Sequence, residues 1–107
     1  MARSAGGRAV SLPVILRPAA ESDVDWIRAD LDSVRLGLGD DFASRLREVL
    51  RRIEHMPELY GIVGQDVRAA RLRRFKHVVY YVVFPDWVEV IAVLHGSRDS
   101  SAWRSRV

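Results

Sequence analysis

The 107-residue chain is 49% hydrophobic and 29% charged, the balance of a soluble globular protein with one core. It contains no cysteine, which excludes disulfides and thiolate metal sites and fits a reducing cytoplasm. Its net charge is +3, no apolar run approaches the roughly 20 residues that span a bilayer, and no secretory leader pattern is recognisable.

Met1 to Leu12 is small, polar and glycine-bearing and reads as a flexible lead-in; residues 13–107 read as one domain. Pro13 to Arg17 gives the short strand Val14-Ile15-Leu16, and prolines at both ends assign it to a sheet edge. Pro18 then opens a helix, where its missing N–H is not needed. Along that helix Ala20, Val24, Ile27, Leu31 and Val34 recur at spacings of four and three, one apolar stripe that should stop near Arg35. Gly37 and Gly39 make the turn, and Asp40 is the expected N-cap of a second helix. Phe42, Leu46, Val49, Leu50, Ile53 and Met56 form its inner face, and Pro57 ends it. Two such helices joined by a short glycine loop form an antiparallel hairpin.

The segment from Glu58 to Asp66 carries two glycines and reads as a loop. Arg68 to Phe75 alternates loosely and predicts a third-rank strand. The segments His77 to Phe84 and Trp87 to Leu94 are far stronger, being dense in valine, tyrosine, phenylalanine and isoleucine. Pro85-Asp86 between them is a turn pair. Their near-continuous apolar character predicts two central strands, with Tyr80 and Tyr81 on opposite faces, one in the core and one exposed. Asp99 to Trp103 can cap and begin a single helical turn. The fold class is therefore α+β, in the order β-α-α-β-β-β, with the helical hairpin packed on a small twisted, mainly antiparallel sheet.

Chemistry has few footholds. His77 and His95 lie on different strands with no further histidine or cysteine at ligand spacing, so no metal site is expected and no cofactor is called for. Serine-nucleophile and phosphate-loop motifs are absent. What stands out is charge: Arg68, Arg71, Arg73, Arg74 and Lys76 fall between Val67 and Phe84 with no acid among them. Arginine is suited to bidentate contacts with phosphate or carboxylate, although a solvated strand face accounts for the same run. His95, at a strand end, is expected to bond a neighbouring carbonyl. Trp103 is either a lid over the sheet or, beside Arg98, Arg104 and Arg106, an exposed binding anchor.

These residues, in order, carry a resemblance. Arg73-Arg74-Phe75, Val79-Tyr80-Tyr81, Ala92-Val93-Leu94-His95, then Arg98-Asp99 and Trp103, resemble the ParE/RelE superfamily of bacterial type II toxin–antitoxin toxins. The first half fits too, through a strand ending near Arg17 and a helix carrying Ala20, Asp23 and Ile27. The resemblance places the first strand in the sheet beside the others. It implies a cytoplasmic toxin that causes growth arrest, stabilises plasmids, and is held inactive in a hetero-oligomer with a cognate antitoxin. ParE-like members inhibit DNA gyrase without being enzymes, and His95, Arg98, Trp103 and Arg104 would then bind the target. RelE-like members cleave ribosome-bound mRNA, and the matching catalytic positions are Arg71, Arg73, His77 and Arg98. The terminal tyrosine common in those nucleases has no counterpart, which favours the ParE-like reading. Arg68, Arg73 and Arg74 would meet the antitoxin. A third reading is a non-toxic relic that only binds a partner.

Overall fold

Two strands, β4 (His77–Val83) and β5 (Val88–His95), form the antiparallel centre of the sheet in the computed structural model, which describes residues 11–107. Their turn closes as expected at Pro85-Asp86: the Phe84 N–H donates to the Trp87 carbonyl at 2.8 Å, and the two rings stack. Before them run β1 (Val14–Leu16), α1 (Pro18–Val34), α2 (Leu38–His55), β2 (Ile62–Gly64) and β3 (Val67–Arg71); α3 (Ser101–Arg104) follows. The sheet order is β1-β5-β4-β3-β2. β1 pairs parallel to β5 at one edge, where its flanking prolines place it. The lead-in expected over residues 1–12 falls mostly outside the described residues. Leu12 itself is tied down, its N–H donating to the Glu54 carbonyl at 3.0 Å.

The α1–α2 hairpin covers one face of the sheet. Ala20, Ile27, Phe42, Leu46, Val49 and Ile53 meet Val79, Tyr81, Val88, Val90 and Val93 in a single core. Val34 and Met56, which continue the apolar stripes in the sequence, are exposed instead, because each sits at the end of its helix beyond any covering element. The expected cap is also different. Gly37, at φ 94°, is the N-cap of α2, and Asp40 lies in its first turn, bonded to Arg28 at 2.7 Å. The capping acceptor is Asp32 on α1, whose Oδ1 receives the Gly37 and Gly39 N–H groups. A Cβ at Gly39 would stand 2.7 Å from the Arg28 carbonyl, so glycine is what lets the two helices close together.

Two strand expectations need correction. The Glu58–Asp66 loop contains a strand, β2, which returns to β3 through Gln65 (φ 51°) and Asp66 (φ 63°). Two consecutive positive-φ residues are the geometry of a tight hairpin turn whose twist matches its strands. β3 ends at Arg71 rather than Phe75, since Arg74 at φ 70° turns the chain and Leu72 N–H already bonds the His77 carbonyl. Arg73 therefore lies in the β3–β4 connection, not on a strand.

The second face of the sheet is covered as well. Tyr81 is fully buried against the helices, donates its hydroxyl to the Pro57 carbonyl at 2.7 Å, and has its pKa pushed up to about 12, chiefly by burial. Tyr80 faces the other way and is buried too, contrary to expectation. Its cover is Trp103 of α3, stacked at 5.8 Å within a smaller core of Val67, Val78, Ile91, Ala92 and Leu94.

Beyond α3 the chain is latched. Arg106 donates through both terminal nitrogens to Asp23 of α1 and through Nη1 to the Ile91 carbonyl, while the Arg106 carbonyl accepts from Arg17. Asp23 also accepts the Val93 N–H at 2.9 Å. Asp23→Ala should lower unfolding free energy by about 2 kcal/mol, as expected for bonds to a charged group. Arg106→Ala should cost a similar amount, and the double substitution less than the sum, measured by urea melts.

Candidate functional site

The β4–β5 ladder sets His77 directly opposite His95, at the end of the sheet where the β3–β4 connection passes the start of α2. The rings meet edge to face at 5.4 Å, and Phe42 and Phe75 close on His77 from the other side. His77 is half-buried and its Nδ1 has no hydrogen-bond partner among the described residues. Burial first, and then the neighbouring His95, hold its pKa below the ordinary value, with Asp30 opposing. His95 is exposed and, among the described residues, bonds no carbonyl. Its Nδ1 lies 2.8 Å from the Ser97 hydroxyl and accepts the Ser97 N–H at 3.1 Å, which places the proton of the neutral ring on Nε2.

Two grooves flank this pair. One of about 830 Å³ runs between the helix hairpin and the β3–β4 connection, lined by Arg35, Arg45, Glu48, Arg74, Phe75 and Lys76. The other, of about 600 Å³, is mostly apolar and lies between α1 and the end of β5, lined by Trp26, Ile27, Val93 and Leu94 with Asp23 and Arg98. Trp26 is 68% exposed. It is the residue that the sequence reading passed over, and its position one step off the apolar stripe of α1 was the available signal.

The opposite face carries a different cluster. A recess of about 460 Å³ opens between the β2–β3 hairpin and the segment after β5, with Arg71, Arg98, Tyr80 and Trp103 in its lining. Arg71 lies close enough to the Tyr80 hydroxyl for its charge to counter the upward pull of burial on that phenol. Arg104 stacks on the Trp103 ring at 4.7 Å.

The residues singled out from sequence therefore separate. Of the nuclease set, His77 packs on the helix side while Arg71 lines the α3 side, and Arg73 is exposed in the connection. Arg98 lines both the apolar groove and the recess. His95 and Arg98 share the groove, and Arg104 stands with Trp103. Trp103 does not project from the tail: it is 3% exposed, so the exposed-anchor alternative gives way to the lid. Arg68, near the start of β3, donates to the Tyr60 and Glu58 carbonyls, and Arg74, past its end, lines the larger groove, so the Arg68, Arg73 and Arg74 set is divided between the two ends of β3. Among the described residues no three histidine, aspartate or glutamate side chains gather as a metal would require, and no helix is long and apolar enough to cross a membrane.

Trp103→Ala should lower stability by about 3 kcal/mol, the range for truncating a buried aromatic, with Trp103→Phe recovering part of it in thermal melts. His77 gives a pH signature. A depressed folded-state pKa means that the neutral ring stabilises the fold above the ordinary value of 6.5, and this contribution is lost as pH falls below it. Melting temperature should accordingly drop more between about pH 7.5 and about pH 5.5 in the native protein than in His77→Gln.

Comparison with known proteins gives a consistent picture. A family model described as the ParE toxin of the type II toxin–antitoxin system, parDE, matches residues 14–100. A solved structure, the chromosomal ParDE toxin–antitoxin system from P. aeruginosa, superposes with a TM-score of 0.71 at 12% identity, covering 79% of this chain and 96% of that one. No curated protein sequence matches.

Proposed function

We infer the activity from one premise: this chain belongs to the ParE toxin family of type II toxin–antitoxin systems. Residues 13–107 act as one toxin domain that inhibits DNA gyrase in the cytoplasm and is neutralised by a cognate antitoxin. The observation that carries gyrase inhibition over mRNA cleavage is the separation of Arg71 from His77 by the thickness of the sheet. Cleavage at a 2′-hydroxyl needs a base, an acid and positive charge converging on one phosphate. His77, walled in by Phe42, Phe75 and His95, is poorly placed to serve there.

Target contact falls to exposed side chains at the end of β5 and along the segment after it, His95, Arg98 and Arg104, with Trp103 as the floor that holds Arg104 in place. The antitoxin brings acidic and apolar residues. Arg73 and Arg74 in the β3–β4 connection and Arg68 near the start of β3 offer the charge, and β1, paired on one side only, offers a backbone edge.

Induced alone, the protein should arrest growth, and co-expression of the neighbouring antitoxin should restore it. The purified toxin should block gyrase supercoiling and leave ribosome-bound mRNA intact. Cleaved mRNA with normal supercoiling would overturn the reading in favour of an interferase. Unimpaired growth with soluble, folded protein would leave only the partner-binding relic.

A further inference from the structure

Of the three tryptophans, Trp26 is the one the fold leaves uncovered. Trp103 is stacked on Tyr80, while Trp87 is stacked on Phe84 and donates to Glu89 at 3.3 Å. Trp26 stands 68% exposed on α1, beside the apolar groove that Ile27, Val93 and Leu94 line with it. A ring of that size and an apolar groove, both facing water, each gain by being covered. No described residue covers either one. The groove cannot close on itself, because Asp23 of α1 is bonded to the Val93 N–H of β5 and fixes the distance between its walls.

The charges around the groove decide what covers it. On the α1 side stand Asp30 and, one residue before Trp26, Asp25; both are exposed and in no ion pair among the described residues. On the β5 side stands Arg98, exposed and likewise unpaired. Asp23, the remaining carboxylate in the lining, is engaged by Arg106. An acidic, apolar segment would meet Arg98 but be repelled by Asp25 and Asp30, and a basic one would meet the reverse. A surface that carries an acidic rim, a large aromatic and a basic rim in one patch satisfies both sides. This chain is itself such a surface. A two-fold rotation sets α1 of one copy against the β5 end of the other, so that acidic rim meets basic rim twice and each Trp26 faces the other's groove.

We propose that the apolar groove is the interface of a symmetric dimer of this chain, in which Trp26 of each copy fills the groove of the other and Asp30 pairs with Arg98 across the two-fold axis. The interface goes beyond the gyrase reading and does not rest on it. Where that reading holds, the dimer hides His95 and Arg98, and target contact belongs to the monomer. An interface made of one helix and one strand end falls at the small end of specific association, roughly 600 Å² from each partner, which sets a dissociation constant in the micromolar range. Its strength comes from the two tryptophans, and its symmetry from the four rim charges.

The test is sedimentation equilibrium of the purified toxin. Across roughly 1–200 µM the mean mass should rise from one chain to two. Trp26→Ala should weaken self-association about 30-fold or more, the loss typical of a truncated anchor. Its melting temperature in dilute solution should match that of the native protein, since the ring is exposed in the monomer. Charge reversal then tests the symmetry. Asp30→Arg sets arginine against Arg98 at both rim pairs, and Arg98→Glu sets acid against Asp30 at both, so each variant alone should stay monomeric. Mixed together, the two variants carry opposite charges at both pairs and should dimerise with each other. Melting temperatures confirm that both are folded. A monomer over the whole concentration range, self-association unchanged by Trp26→Ala, or reversal variants that stay apart on mixing overturns the proposal. So does a toxin that is monomeric alone and binds the purified antitoxin through Trp26, which gives the groove to that partner. The assay contains no gyrase. Self-association of this pattern in a protein that leaves supercoiling untouched would remove the gyrase reading and keep the interface.

Discussion

Everything on the second face of the sheet depends on the carboxylate of Asp23. β5 is eight residues long and its outer neighbour β1 only three, so the β5 backbone beyond Val90 loses its strand partner when the chain leaves for α1. Unsatisfied, a buried N–H there costs on the order of 1–3 kcal/mol. Asp23 accepts the Val93 N–H, and Arg106, bound to the same carboxylate, donates to the Ile91 carbonyl. One ion pair thus finishes the work of a strand. It also fixes the C-terminal segment, and with it α3 and Trp103, across the far side of the sheet.

That cover explains the composition of the two central strands. A sheet with one solvated face alternates apolar and polar residues, whereas β4 and β5 are apolar almost throughout because both faces are dry. With the middle of the second face occupied by Tyr80 and Trp103, charge is confined to the rim, at the strand ends and the connections. Arg71, Arg98 and Arg104 are there for that reason, and so are Arg73, Arg74 and Lys76 in the β3–β4 connection just past Arg71. The same burial that builds the small core therefore gathers the arginines into a frame.

How much of this was legible in the sequence follows the range of each interaction. Helix stripes, the proline-bounded β1 and the β4–β5 hairpin depend on neighbours within a few residues, and all could be read directly. β2 could not, because its hairpin turn uses Gln65 and Asp66 at positive φ, where glycine or asparagine is the usual signal. Arg74 hid the end of β3 in the same way. Gly37 displaced Asp40 as cap because the acceptor comes from Asp32 on the preceding helix. The Asp23–Arg106 pair, 83 residues apart, leaves no local mark at all. Trp103 stayed open between lid and anchor for a related reason: its polar flanks allow either, and the Arg106 latch and the Tyr80 stack that distinguish them are made to residues far away in the chain. In the candidate site, residue types were legible but convergence was not, since which sheet face a strand residue occupies depends on register.

Asp23 also joins the two surfaces. Its side chain lines the apolar groove with Trp26 and, through Arg106, holds the segment that carries Trp103 and Arg104. An occupant of the groove that drew this carboxylate away would strand the Val93 N–H and the Arg106 guanidinium together. An occupant that left it in place would reinforce the latch. Groove and latch therefore meet at one carboxylate, and what a groove ligand offers Asp23 decides which way it acts on the α3 segment. A basic ligand competes for the carboxylate and loosens the α3 face. An apolar one, packed on Trp26 and Ile27, shields the ion pair from water and strengthens it.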